Sequence, residues 1–307
     1  QKKNHGIRIR NDQVESVNKG IDFGIGIRLI YGTDVVYGYT NSTEREELLR
    51  ITQVLGAKNK CASKATFQSF NMMTVKDIHP VEISFDSAGL TDHKISYLHK
   101  IIEAAKGESS LISICESNLL QEEQLVQIFN SEGLSTSDKR NYCRFWVQSI
   151  AEKDGEQTQG FHAPGALTGW ELSKKIDPKE LGEFTAKQAL VKLSAADCPG
   201  GKMPVIIGSG FGGVIFHEAC GHLLETTSVQ KKASVFWDKL DTQIAHSCVN
   251  AVDDGTLSNV WGSINIDDEG IPSQKTQLIK NGKLVNFMSD RVGELKTGHK
   301  ATGSGRR

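Results

Sequence analysis

The chain has 307 residues, 38% of them hydrophobic and 24% charged, with a formal net charge of −1. That make-up belongs to a globular chain of one large or two to three modest domains. It excludes a chain-wide basic footprint for nucleic acid, and no apolar run approaches the roughly 18 residues of a membrane span.

The first residues, Gln1 to His5, are polar and carry no signal-peptide pattern. Six scattered cysteines (Cys61, Cys115, Cys143, Cys198, Cys220 and Cys248) contain no CxxC pair, so a reducing, cytoplasmic setting is expected. In chain order, Gly6 to Arg10, Phe23 to Tyr31 and Val35 to Tyr39 read as strands, being β-branched or aromatic between turn formers. A helix is expected after Asn41-Ser42-Thr43, with Thr43 and Glu46 at capping-box spacing. A polar connection with Pro80 follows. A second helix begins near Asp92, with Ile95, Leu98, Ile101, Ile102 and Ala105 on one face and Gly107 as its C′ residue.

Strands are then expected over Gln124 to Phe129, ending in the turn Asn130-Ser131-Glu132-Gly133, and over Tyr142 to Ile150. Lys153-Asp154-Gly155-Glu156 signals a hairpin. Asp177-Pro178 opens a helix whose apolar face holds Leu181, Phe184, Ala189, Leu190 and Leu193. After Cys198-Pro199-Gly200-Gly201 come a strand (Met203 to Ile207), a glycine turn (Gly208 to Gly213) and a fourth helix, then short strands and turns with a hairpin at Asn281-Gly282. The expected fold is α+β: N-terminal mixed domains over 1–65 and 90–197, then a largely β C-terminal catalytic domain over 200–307 carrying the fourth helix. The chain starts without Met and stops in the loop-like Thr302-Gly303-Ser304-Gly305-Arg306-Arg307. The expectation is therefore a piece cut at both ends, with an incomplete last domain.

The fourth helix carries the chemistry, in Val214-Ile215-Phe216-His217-Glu218-Ala219-Cys220-Gly221-His222-Leu223-Leu224-Glu225. Neutral imidazoles suit Zn²⁺, and a carboxylate that is not a ligand can take a proton from the metal-bound water. His217 and His222 are the candidate ligands and Glu218 the candidate general base. In a regular α-helix a step of five residues separates two side chains by roughly 140°. A π-bulge or a break is therefore expected between the histidines, with Gly221 the residue best able to deform. Cys220, Glu225, His246, Cys248, Glu269 and His299 are candidates for a third ligand, and none stands out.

Gly208, Gly210 and Gly213 also spell GxGxxG, with Asp238 and Asp241 near the distance of a ribose-binding acid. That leaves a nucleotide-binding oxidoreductase as a distant alternative, disfavoured because His217 and Glu218 sit where a pyrophosphate prefers neutral backbone. Asp253-Asp254-Gly255-Thr256 and Asp267-Asp268-Glu269-Gly270 read as solvated acidic turns rather than Ca²⁺ loops.

Taken together, Pro204 to Gly210, His217 to His222, Val252 to Leu257, Ile266 to Gly270 and Thr302 to Arg307 closely resemble the TldD/PmbA family of metallopeptidases. The chain looks more like the TldD subunit, which keeps HExxxH, than the PmbA (TldE) subunit, which lacks it. The resemblance implies a cytoplasmic zinc peptidase acting on short or unfolded peptides. It implies a TldE/PmbA-like partner in a heterodimer, or a homodimer. It implies His217 and His222 as ligands, Glu218 as base, and a third ligand from a cysteine far downstream that has no counterpart in these 307 residues. The alternative within the family is a non-catalytic TldE/PmbA-like subunit.

Overall fold

The computed structural model describes residues 1–58, 66–87 and 90–306. In chain order its elements are β1 (Lys2–Arg10), β2 (Gln13–Asp22), β3 (Ile25–Tyr31), β4 (Asp34–Thr40), α1 (Arg45–Gly56), β5 (Asn71–Met73), α2 (Leu90–Glu108), β6 (Ile112–Phe129), β7 (Leu134–Lys153), β8 (Glu156–His162), β9 (Gly165–Ala166) and α3 (Pro178–Leu193). There follow α4 (Val214–Ala219), α5 (Thr226–Val229), β10 (Ala251–Asp254), β11 (Lys275–Lys280), β12 (Lys283–Leu284) and α6 (Arg291–Thr297). The architecture is α+β, as expected.

A seven-stranded sheet runs β2-β1-β6-β7-β5, with β8 and β9 also paired to β7. It joins β1 and β2, from the 1–65 stretch, to β6, β7, β8 and β9 of the 90–197 stretch. The long β6/β7 hairpin is its spine, and side-chain alternation sorts the two faces. Cys115, Ser117, Leu119 and Gln121 of β6 and Cys143, Phe145, Val147 and Ser149 of β7 are buried on one side. There α2 and α3 cover them with Leu98, Ile101, Ile102, Leu181 and Ala186, and Trp170 fills the end of this core. Gly182 lies where α3 crosses α2, and a Cβ there would meet the Ile101 carbonyl oxygen. The other face of the sheet is left open to the C-terminal part of the chain.

A smaller core of Leu224, Val229, Leu278, Ile279, Leu284 and Phe287 gathers the C-terminal elements. It is stapled to the sheet by Arg140, which is 2% exposed. The Arg140 guanidinium donates to Asp138 (3.0 Å), Asp268 (2.6 Å) and the Ile266 carbonyl oxygen (2.9 Å). Arg28 of β3 adds an ion pair to Glu269 at 2.6 Å.

Several expectations are corrected. β2 was not anticipated; its residues Gln13–Asp22 are almost all exposed, so no apolar alternation marks it. β6 and β7 run 18 and 20 residues, well beyond the stretches expected, because polar Ser117, Gln121, Asp138 and Ser149 occupy inward positions. Helix α1 starts at Arg45 with Glu44 as N-cap and no side-chain cap bond, so the Thr43–Glu46 capping box does not form. Instead Ser42 Oγ accepts from the Glu44 N–H. Helix α2 continues through Gly107. On α3 the buried face is Leu181, Gly182, Thr185, Ala186 and Ala189, which turns Phe184 outward.

Met203 to Ile207 forms no strand, since no described strand lies beside it to supply ladder hydrogen bonds. The Asp267 turn is buried rather than solvated: its carboxylate accepts from the N–H groups of Glu269, Ile271 and Gly305. By contrast, Asp177 caps α3 through the Lys179 N–H, and both hairpin dipeptides, Asp154-Gly155 and Asn281-Gly282, take the positive φ their turns require. Cys61 and Arg307 lie outside the described residues.

Candidate metal centre

The glycine run ends in a 3-10 turn (Gly210–Gly213) leading into α4. Helix α4 stops at Ala219. Cys220 leaves helical geometry at φ −135° and ψ −49°, and a second 3-10 turn (Gly221–Leu224) carries the chain on. The expected break is thus present, but the deforming residue is Cys220 rather than Gly221. Cys220 Sγ belongs to the packing beneath, and its thiol pKa is raised by burial.

The break compensates for the five-residue spacing. The rings of His217 and His222 come to 4.4 Å between centroids at an interplanar angle of 65°. Ligand atoms of His217, Glu218 and His222 all lie within 4.8 Å of one another, and this is the cluster of metal-ligating groups found among the described residues. A carboxylate oxygen of Glu218 stands 4.0 Å from Nε2 of His222. Two neighbouring imidazoles with a carboxylate beside them are group types that fit a Zn²⁺ site: the rings as ligands and the carboxylate next to the bound water.

Glu225, weighed as a ligand from the sequence, does something else. Its Oε1 lies 2.8 Å from Nδ1 of His222, so Nδ1–H donates to it and the lone pair stays on Nε2, facing Glu218. A carboxylate behind a ligating imidazole fixes its tautomer and its ring orientation. Thr227 Oγ1 donates to the other Glu225 oxygen at 3.2 Å. The spacing of three from His222 to Glu225 is the sequence signal for this pair.

The remaining third-ligand candidates are engaged elsewhere. Nδ1 of His246 is 3.1 Å from Cys248 Sγ. Glu269 holds Arg28 and the Arg291 N–H, and His299 packs edge-on against Phe287 at 4.9 Å. All three cluster residues are exposed, as are Ile206 (99%) and Phe211 (89%), so the helix start does not lie at the bottom of a cleft. The GxGxxG stretch follows irregular chain and precedes a six-residue helix, a setting unlike a strand–turn–helix phosphate site.

Models of the PmbA/TldA metallopeptidase family match along the chain: domain 1 over residues 1–57, the central domain over 90–193 and the C-terminal domain over 200–307. A Metalloprotease TldD homolog of Haemophilus influenzae is 31% identical over 94% of this chain and 61% of its own length. A Metalloprotease TldD homolog of Buchnera aphidicola from Acyrthosiphon pisum is 30% identical, over 97% of this chain and 63% of its own length. The chain thus spans a little over three-fifths of these relatives.

Among solved structures, TldE from Thermococcus kodakarensis aligns over all of this chain and 69% of its own, with a TM-score of 0.74 at 16% identity. A Thermotoga maritima protein described as a candidate modulator of a DNA gyrase gives 0.79 at 19% identity, over 99% of this chain and 69% of its own. At these identities the likeness is one of fold. With the family's three domains matched in order and the metalloprotease relatives aligned along 94% and 97% of this chain, it belongs to the PmbA/TldD metallopeptidase family.

Proposed function

We propose that the chain carries the zinc-binding helix of a TldD-type peptidase that hydrolyses short or unfolded peptides. The observation that carries this reading is the helix break at Cys220, which brings two imidazoles five residues apart to 4.4 Å with the Glu218 carboxylate beside them. A regular helix would have held those rings on different faces, and a pair of merely packed histidines has no need of the break.

In this reading His217 and His222 hold the ion, His222 through Nε2. Zinc bound there supplies a Lewis acid that brings the pKa of a water toward neutrality. Glu218 takes the proton of the attacking water and returns it to the leaving amine. Glu225 holds the His222 ring in place throughout. Among the described residues the set has no third protein ligand, and the family resemblance assigns that role to a cysteine far downstream. Pairing with a TldE/PmbA-like subunit in the cytoplasm belongs to the same reading, supported by the fold shared with TldE.

The test is hydrolysis of a mixed peptide library by the full-length protein with its partner subunit, compared with the Glu218→Gln variant. The proposal expects a loss of at least about 100-fold in turnover from removing a general base. Equal turnover by both forms would refute it.

A further inference from the structure

The face of the sheet away from α2 and α3 carries a cavity of about 850 Å³. Its floor is two cross-strand rows spanning four strands. Gly20, Asn4, Glu122 and Tyr142 stand side by side in one, and Asn18, Gly6, Leu120 and Arg144 in the next. The alternation that buries His5, Ile7 and Leu119 under the helices turns these rows outward. Gly20 and Gly6 flatten the floor: a Cβ at Gly20 would meet nothing within 4 Å. Trp261, Ser263 and Arg306 of the C-terminal part form the facing wall. The hollow continues along the same face into a second of about 520 Å³ beside Asn118 and Trp146.

The charges in this groove are unequally matched. Glu122 is neutralised by Lys2 at 2.6 Å, and Arg306 lies 3.9 Å from Asp268. Arg144 has no carboxylate partner among the described residues. Its Nε donates to the Ala163 carbonyl oxygen at 3.2 Å, and its guanidinium lies 5.2 Å from the centre of the Trp261 ring. Tyr142 holds that ring edge-on at 5.3 Å, and Gly165 beneath it has no side chain to lift it. A half-buried guanidinium fixed by stacking, with its outer N–H groups free, is built to receive a carboxylate in bidentate fashion. Trp261 (41% exposed) and Leu120 (54% exposed) offer apolar surface on either side.

We propose that this groove binds an extended acidic peptide, with Arg144 receiving a carboxylate side chain and Trp261 and Leu120 receiving the apolar neighbours. The length of the hollow across several strands exceeds what a free anion fills, and its volume suits a ligand of several residues. The proposal stands independently of the zinc reading, since the groove's lining shares no residue with the His217–Glu218–His222 cluster and the event is binding rather than hydrolysis.

The test uses the full-length protein carrying Glu218→Gln, so that cleavage does not intervene, and isothermal titration. The probes are acetyl-Ala-Leu-Glu-Leu-Ala-amide, its Glu-to-Gln counterpart and inorganic phosphate. The Glu peptide should bind about tenfold or more tightly than the Gln peptide, the scale of a charge-assisted hydrogen bond. Arg144→Gln should abolish that difference, leaving the two peptides equal. Gly20→Leu, which adds its side chain in open space, should block both peptides without lowering the melting temperature. The proposal is overturned if the two peptides bind alike to the parent protein, or if phosphate binds as tightly as the Glu peptide. It is equally overturned if no peptide binds, as when the polypeptide following residue 306 fills the groove.

Discussion

Replacing Lys94 by Met should make the protein more stable at neutral pH and not at high pH. Lys94 is fully buried, with Nζ donating to the Phe85 carbonyl oxygen at 2.6 Å and standing 3.3 Å from Nδ1 of His5. Burial is the main cause that pulls its pKa from 10.5 to about 8; nearby Lys19 adds to the fall, while Cys143 and Asp86 oppose it. Below pH 8 the amine is protonated in both folded and unfolded chains, and the folded chain bears a desolvation cost of about 3 kcal/mol. Between pH 8 and 10.5 the unfolded chain binds more protons than the folded one, so stability rises with pH and the cost disappears. Met keeps the apolar stem and removes the charge, while forfeiting one hydrogen bond worth roughly 1 kcal/mol. Lys94→Met should therefore gain about 2 kcal/mol at pH 7 and lose about 1 kcal/mol at pH 10.5. Urea unfolding of variant and parent at both pH values, followed by circular dichroism, measures the two gaps. A gap that does not change with pH would refute the reasoning, because pH effects elsewhere in the protein cancel between the two forms.

His5 provides the acid counterpart. Burial first, and the facing Lys94 and Lys19 charges after it, bring its pKa from 6.5 to about 4, while the nearby Gln121 side chain opposes this. Its folded pKa is depressed, so the neutral ring's contribution is complete above pH 6.5 and is lost as pH falls toward 4. Acid titration of stability should show a loss of about 3 kcal/mol over that window that His5→Phe lacks; parallel curves for the two proteins would count against it. At the candidate metal centre, Glu225→Ala should weaken zinc binding roughly 10- to 100-fold by freeing the His222 ring. Competition with a fluorescent chelator reads this, and unchanged affinity would remove Glu225 from the supporting role.

Much of the local architecture could be read from residue patterns because it rests on short-range chemistry. The Asp177-Pro178 cap, the two hairpin dipeptides and the β3–β4 pair each depend on residues a few positions apart. The candidate site was similarly accessible: two histidines five residues apart on a helical repeat of 3.6 already require a break, and Cys220 makes it. What the residues concealed depended on distant partners. β2 has no apolar rhythm because its stability comes from the β1 ladder rather than from burial. Buried Ser117, Gln121 and Arg140 read as surface residues until their partners across the sheet and in the C-terminal part are known. The exposure of Ile206 and Phe211, ahead of the histidines in the chain, ran against their hydrophobicity for the same reason: no described element packs on them.

The most direct test of the central claim is zinc content per chain in the full-length protein, set against His217→Ala and Glu218→Gln. The account predicts one zinc per chain in the parent, loss of zinc in His217→Ala, and retained zinc in Glu218→Gln. Zinc retained at one per chain in His217→Ala, or missing from the parent after purification in zinc-supplemented buffer, would contradict it and return the motif to two packed histidines.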